Sequence, residues 1–152
     1  MAPALGEDIA LYRKAVTLES ESFGVGACAY LRRLLENQID PMMTSLIEFK
    51  QAVSATDEEI GDLERIRTSK DFSAKATEIY HVLPEHIRID GHNPLITLHR
   101  AYSADMHGLS DEECVEIAKD TLEALAFVLT HLAERPRQRR SYVDKIKELD
   151  RG

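Results

Sequence analysis

The sequence predicts an all-α fold, a helical bundle of about five to seven helices built on long antiparallel helices. The composition is globular, with 43% hydrophobic and 30% charged residues, and it holds only 7 Gly and 5 Pro in 152 residues. Leu, Ala, Glu and Ile are frequent, which favours helices over sheets. Apolar residues recur every three or four positions in several long segments, and no segment alternates as a half-buried strand would. We therefore expect one domain that spans residues 1–152.

The first two helices are defined by their apolar stripes. The first is predicted over residues 7–20, with acidic side chains in its first turn. The second begins near Val25, and its apolar stripe keeps a spacing of three or four residues as far as Val53. Pro41 lies inside this stripe without changing its phase, so we expect one long kinked helix. The alternative is a break before Pro41, which would then open a new helix at its first position.

Two shorter helices are predicted in the middle of the chain. Thr56 and Glu59 form a capping box, in which each side chain satisfies a free amide of the other residue, and a helix follows to about Arg67. The next helix is predicted over residues 71–83, and a proline just beyond it prevents its continuation.

The C-terminal third of the chain is predicted to form three helices. The Asn-Pro pair at 93–94 supplies the cap and the first residue of one that ends at Gly108. A capping box that begins at Ser110 opens the next, whose apolar surface is wide enough for the middle of a bundle. That helix is predicted to end before Pro136, and a last amphipathic helix covers 139–149.

The charge is uneven along the chain. A net charge of -8 argues against a purely electrostatic nucleic-acid binder. Residues 134–152 nevertheless contain seven Lys/Arg and four Asp/Glu, so this segment is locally basic. We interpret it either as a solvated helix start or as a contact for an anionic partner. Its candidate nucleic-acid-binding residues are Arg135, Arg137, Arg139 and Arg140.

The cysteines and the ends of the chain indicate the cellular compartment to which the protein belongs. Cys28 and Cys114 lie far apart without metal-ligand spacing, so we expect two reduced core residues in a cytoplasmic protein. No apolar run is long enough to cross a membrane, and the N-terminus lacks the pattern of a signal peptide. The short start runs almost directly into a helix, which is also typical of a domain from a longer protein.

No GxGxxG, P-loop, HExxH, GxSxG or CxxC motif occurs in the sequence, and we expect neither a metal site nor a cofactor. One pair of residues stands out on the helix predicted to end at Gly108. Arg100 and His107 are seven residues apart, close to two turns, so both would project from one face, with Ser103 between them as a supporting polar residue. Arginine offers paired donors to a phosphate, and histidine transfers protons near neutral pH. An RNA 2′-hydroxyl could then act as an internal nucleophile.

Two parts of the chain resemble the HEPN superfamily of helical domains, in particular its DUF4145-type members. Residues 12–15 with 27–36 resemble the first helix pair of that group, with its aromatic, Arg, aliphatic and Glu positions. Residues 100–108 resemble its Arg-to-His signature ahead of the last long helix. The resemblance implies a helical bundle that dimerises, and in active members a metal-independent ribonuclease site at the dimer cleft. It also implies a role in toxin–antitoxin or antiviral defence.

Carried over to this chain, the resemblance makes Arg100 the phosphate-binding residue and His107 the acid/base. Glu36 would be a supporting polar residue from the second helix. The expected partners are RNA and a second copy of the chain. The alternative is a non-catalytic helical module that dimerises or docks to a protein partner or an adjacent domain. Ala101, where active members carry a polar residue, and the acidic net charge favour this alternative.

Overall fold

All the regular secondary structure in the part that the structure describes is helical. The computed structural model describes residues 6–81, 88, 91–103 and 108–151, with the backbone alone for residues 129 and 131–144. Within these ranges no strand occurs, so the all-α prediction is confirmed. A 3-10 helix, Gly6–Asp8, precedes six α-helices. These are α1 (Ile9–Ser20), α2 (Gly24–Ala52), α3 (Asp57–Thr68), α4 (Phe72–Tyr80), α5 (Pro94–Tyr102) and α6 (Asp111–Arg151).

Helices α1 and α2 form an antiparallel pair. The Asp8 carboxylate, just before α1, accepts hydrogen bonds from the side chains of Asn37 at 3.2 Å and Gln38 at 2.8 Å. At the other end of α1, Leu18 packs beside Gly26 near the start of α2. These contacts align the helices in opposite directions, as expected for segments joined by a short turn.

Helix α2 is continuous through Pro41, which confirms the prediction of a single long helix. The residues on either side of the proline explain why the helix persists. Ile39, Met42, Met43 and Leu46 are all buried, so the apolar face continues across it. A proline inside a helix costs roughly 3 kcal/mol. Burying even two such side chains contributes a similar amount, at roughly 1.5–3 kcal/mol each.

The two longest helices, α2 and α6, lie side by side with their N-termini at the same end. The backbone amide of Val25 donates to the Asp111 carboxylate at 2.9 Å, which joins the two starts. The Lys147 ammonium donates to the Ala52 carbonyl at 2.9 Å, which joins the two C-terminal parts. The antiparallel arrangement therefore applies to α1 with α2, whereas α2 and α6 run parallel.

The predicted end of the sixth helix before Pro136 is wrong. Helix α6 runs for 41 residues, from Asp111 to Arg151, and includes the segment predicted as a separate helix over 139–149. Alanine, glutamate, arginine and glutamine flank the proline, and all four have high helix propensity. As at Pro41, one missing hydrogen bond does not end a helix whose neighbouring residues favour it.

Local capping explains most of the remaining boundaries. The Thr56 hydroxyl accepts from the Glu59 amide at 3.1 Å, as the capping box predicts. At the start of α6 the box is reciprocal, since Ser110 accepts from the Glu113 amide and the Glu113 carboxylate accepts from the Ser110 amide. Asp71 caps α4 through the Ala74 amide, so this helix begins one residue later than predicted.

Helix α5 ends at Tyr102, earlier than the predicted end at Gly108. Ser103 closes its last turn, because the hydroxyl donates to the His99 carbonyl at 2.8 Å and the amide to the Arg100 carbonyl at 3.1 Å. A serine hydroxyl that bonds the backbone in this way competes with helix continuation. The Tyr102 side chain is fully buried, and its hydroxyl donates to Thr121 of α6 at 2.7 Å, which fixes α5 against the core.

Candidate functional site

Arg100 lies in the last turn of α5, and its side chain is exposed. Within the described ranges it has no hydrogen-bond or ion-pair partner. His107 lies outside the described residues. Because α5 ends at Tyr102, helical spacing no longer relates Arg100 to His107. The structure therefore locates one member of the predicted catalytic pair.

Ser103, the predicted supporting residue, is half-buried, and its hydroxyl is donated to a backbone carbonyl of α5. The Ser103 O–H group is therefore used to close the last turn of α5. The hydroxyl oxygen keeps acceptor capacity.

Glu36 of α2 bonds α5 through His99, the residue before Arg100. The Glu36 Oε1 atom accepts from His99 Nε2 and from Arg32 Nε, both at 3.0 Å. Partial burial acts to raise the pKa of Glu36, but the hydrogen bonds and positive charges of His99 and Arg32 together outweigh it. The pKa of this carboxyl is therefore lowered from its usual value, and the group is ionised at neutral pH.

The His99 ring is held on its other side by α4. It stacks on the Phe72 ring, with centroids 4.0 Å apart and planes 11° from parallel. Beside this stack the buried Lys75 ammonium donates to the Asp40 carboxylate at 2.6 Å, which ties α4 to α2. Residues of two other helices, α2 and α4, thus fix the imidazole in place.

These side chains line an open groove of about 420 Å³ between α2, α4 and α5. Arg32, Lys70 and Lys75 bring positive charge to it, and Glu36 and Asp71 bring negative charge. Since Lys75 is paired with Asp40 and Arg32 with Glu36, most of this charge is compensated internally. The groove is primarily a polar junction of helices that positions α5.

The arginines of the predicted basic tail lie on α6. Arg135, Arg137, Arg139 and Arg140 are helical, and the structure describes only their backbone. A helix spreads positions 135, 137, 139 and 140 around its axis at 100° per residue, so the four do not share one face.

The described residues also bear on other classes of function. No group of three or more His, Cys, Asp or Glu there is arranged to hold a metal ion. None of the helices formed by those residues is long and apolar enough to cross a membrane. Cys28 and Cys114 are both buried thiols in the core, with Cys28 Sγ 3.5 Å from the Cys114 carbonyl, as expected for structural cysteines.

Sequence reasoning missed the residues that hold α5 at the site. His99 and Phe72 are 27 positions apart, and His99 and Glu36 are 63 positions apart. No local spacing rule connects residues at such separations. The one available signal was that Glu36 and Arg100 both belong to segments with the HEPN resemblance, which indicated that α2 and α5 meet.

Comparison with known proteins found no match to this chain among protein-family profiles, curated proteins or solved structures.

Proposed function

We propose that this chain is a HEPN-like, metal-independent endoribonuclease in which Arg100 binds the scissile phosphate and His107 transfers the proton. One observation carries the proposal. The Arg100 side chain is exposed at the end of α5 without a partner among the described residues, so its paired donors are available to a phosphate.

The surroundings of Arg100 support this role. The preceding residue, His99, is fixed by Glu36 and by the Phe72 ring. Tyr102, two residues further on, is anchored in the core. A rigidly held helix end costs little further ordering when a ligand binds, and such preorganisation favours transition-state stabilisation.

The proposed reaction needs no metal ion. The RNA 2′-oxygen attacks the adjacent phosphorus while its proton passes to His107 as base. The bond from phosphorus to the 5′-oxygen breaks, and the leaving oxygen takes up a proton. The products are a 2′,3′-cyclic phosphate and a 5′-hydroxyl. Arg100 stabilises the negative charge that develops on the phosphate oxygens.

The proposed site is composite. A pair of chains brings two copies of Arg100 and His107 to one cleft, so the active species is a homodimer. We place the protein in toxin–antitoxin or antiviral defence on the same HEPN resemblance.

The test is cleavage of labelled single-stranded RNA by purified protein in EDTA. Arg100→Ala and His107→Ala are each expected to lower the rate at least a hundredfold, since a donor to developing charge contributes about 10²–10³-fold. Arg65→Ala is the matched control, because Arg65 is also an exposed helical arginine and lies in α3. Equal rates for all variants, or no cleavage by the unaltered protein, would refute the proposal.

A second candidate function has an observation in its favour. A non-catalytic interaction module would expose an apolar patch around Phe23, Tyr30 or the helix that carries Leu95, and Phe23 is 54% exposed at the start of α2. Tyr30 is only half-exposed, and Leu95 and Leu98 of α5 are buried. This module would bind a protein partner or adjacent domain through Phe23 and would leave RNA intact. The Phe23→Ser variant would then lose the partner without losing its own fold.

A further inference from the structure

A second groove, between α1 and α2, carries two cations beside an aromatic ring. It has a volume of about 320 Å³ and is lined by Arg13, Lys14 and Tyr30, among others. The Lys14 ammonium lies over the Tyr30 ring at 5.5 Å from its centroid, a cation–π contact. Arg33 lies one turn after Tyr30 on α2 and therefore borders the same side. Arg13, Lys14, Arg33 and Tyr30 are called the α1–α2 basic groove below.

The three cations of this groove lack acidic partners in the described part of the chain. No residue three or four positions from Arg13 or Lys14 is acidic, so neither forms an ion pair within α1. The acid three positions after Arg33 is Glu36, whose Oε1 atom already accepts from Arg32 and His99. All three cations are exposed. In a chain with a net charge of -8, a local set of uncompensated cations is a distinct feature.

We propose that the α1–α2 basic groove binds single-stranded RNA, with a base stacked on Tyr30 in place of the Lys14 ammonium and with Arg13, Lys14 and Arg33 on the phosphates. Single-stranded nucleic acids bind surfaces where cations contact the phosphate backbone and an aromatic side chain stacks against a base. The inference rests on the proposed function, because it assigns the path of the substrate outside the cleavage site.

The position of the groove fits an RNA strand that continues from the groove to α5. Arg32 and Arg33 are consecutive on α2, and they point about 100° apart around its axis. Arg33 borders the α1–α2 basic groove, whereas Arg32 bonds Glu36 and so faces His99 on α5. The two arginines thus link the groove to the helix that carries Arg100. Along this path Arg33 and Arg100 are exposed cations, whereas the charge of Arg32 is compensated by Glu36.

The binding test uses the whole chain and a labelled single-stranded RNA of about 20 nucleotides with 2′-O-methyl groups, which cannot supply the internal nucleophile. Fluorescence anisotropy gives the dissociation constant at several salt concentrations. Replacing Arg13, Lys14 and Arg33 together by Gln is expected to weaken binding at least tenfold at low salt. It should also lower the salt slope by about 2, since each phosphate contact on a single strand contributes roughly 0.7.

The matched control makes the same charge change elsewhere. Lys50 of α2, Arg65 of α3 and Lys119 of α6 lie outside both the groove and residues 134–152, and their joint replacement by Gln should leave the affinity and the slope within about twofold of the unaltered protein. Tyr30 is tested by a conservative pair. Tyr30→Phe keeps the ring and the affinity, whereas Tyr30→Leu keeps apolar packing but should weaken binding about tenfold through loss of stacking. Thermal unfolding followed by circular dichroism checks that each variant is folded.

Each outcome has a defined meaning. Equal losses in the groove variant and the control variant would overturn the inference, because only total charge would then matter. An equally tight, groove-dependent complex with an acidic peptide of the same charge would overturn the assignment to RNA. Groove-dependent binding without any cleavage of unmodified RNA would support the inference and refute the nuclease proposal. Cleavage with an unchanged dissociation constant in the groove variant would refute the inference alone.

Discussion

Gly24 lies where the start of α2 meets the first turns of α6. A Cβ atom at this position would collide with backbone atoms of Asp111, Cys114 and Val115, which cannot move independently of the helix. We expect Gly24→Ala to destabilise the protein by about 3 kcal/mol, a typical cost of overpacking. Gly61→Ala is the control, since nothing lies within 4 Å of that Cβ in the exposed part of α3, and it should stabilise by about 1 kcal/mol. Urea unfolding measures both, and a neutral Gly24→Ala would contradict the described contact.

Also at the scale of the residue, Glu36 couples stability to pH. The pKa of Glu36 is lowered in the folded state, so its ionised carboxylate stabilises the fold. This stabilisation is fully present above the pKa of an unfolded glutamate, about 4.3, and it is lost as the pH falls through the lower pKa of the folded state. Glu36→Gln should therefore be less stable than the unaltered protein at pH 6, and the difference should shrink by pH 3. Urea unfolding at the two pH values gives this difference. A difference that is constant across them would show that the carboxylate charge is not involved.

At the scale of the element, Asn93 sets the position of α5. Its side chain accepts from the amides of Leu95 and Ile96 and donates to the Ala76 carbonyl of α4 at 2.9 Å. Asn93→Ala loses both the cap and the bond to α4, so we expect a destabilisation of about 2 kcal/mol. Asn93→Ser keeps a cap but cannot bridge to α4, and about half of that loss should remain. Urea unfolding compares the two variants, and equal stabilities would show that the bond to Ala76 contributes nothing.

Helix starts could be predicted from the sequence better than helix ends. The starts at Thr56, Asn93 and Ser110 depend on side chains within three residues of the amides that they satisfy, so local sequence determines them. The ends of α5 and α6 depend on a balance of small terms. Ser103 ends α5 by bonding its own helix, and Pro136 fails to end α6. Neither Ser103 nor Pro136 is by itself a decisive signal for a helix end, and the surrounding residues determine whether the helix stops there.

At the scale of the whole molecule, the contacts between helices were beyond local reasoning. The apolar stripes predicted which faces are buried, and Leu31, Leu35 and Leu125 are indeed in the core. The stripes do not show in which direction one helix runs relative to another, so the parallel course of α2 and α6 was not predicted. The same holds for the site, where Arg100 could be selected from sequence but its link to α2 through His99 could not.

Dimerisation is a whole-molecule prediction of the proposed function. A composite site requires two chains, so light scattering during size-exclusion chromatography should give twice the 17.2 kDa of the chain at micromolar concentration. Arg100→Ala should leave this mass unchanged, because the side chain is proposed to bind phosphate and not the partner. A mass of a single chain across the accessible concentration range would contradict the composite site.

The most direct measurement of the central claim is the chemistry of the ends that the protein leaves on RNA in EDTA. The account predicts 2′,3′-cyclic phosphate and 5′-hydroxyl ends, and no cleavage at a position where a single 2′-deoxynucleotide removes the nucleophile. Cleavage that persists at the deoxynucleotide, or products with 3′-hydroxyl ends, would contradict an internal nucleophile and the roles given to Arg100 and His107.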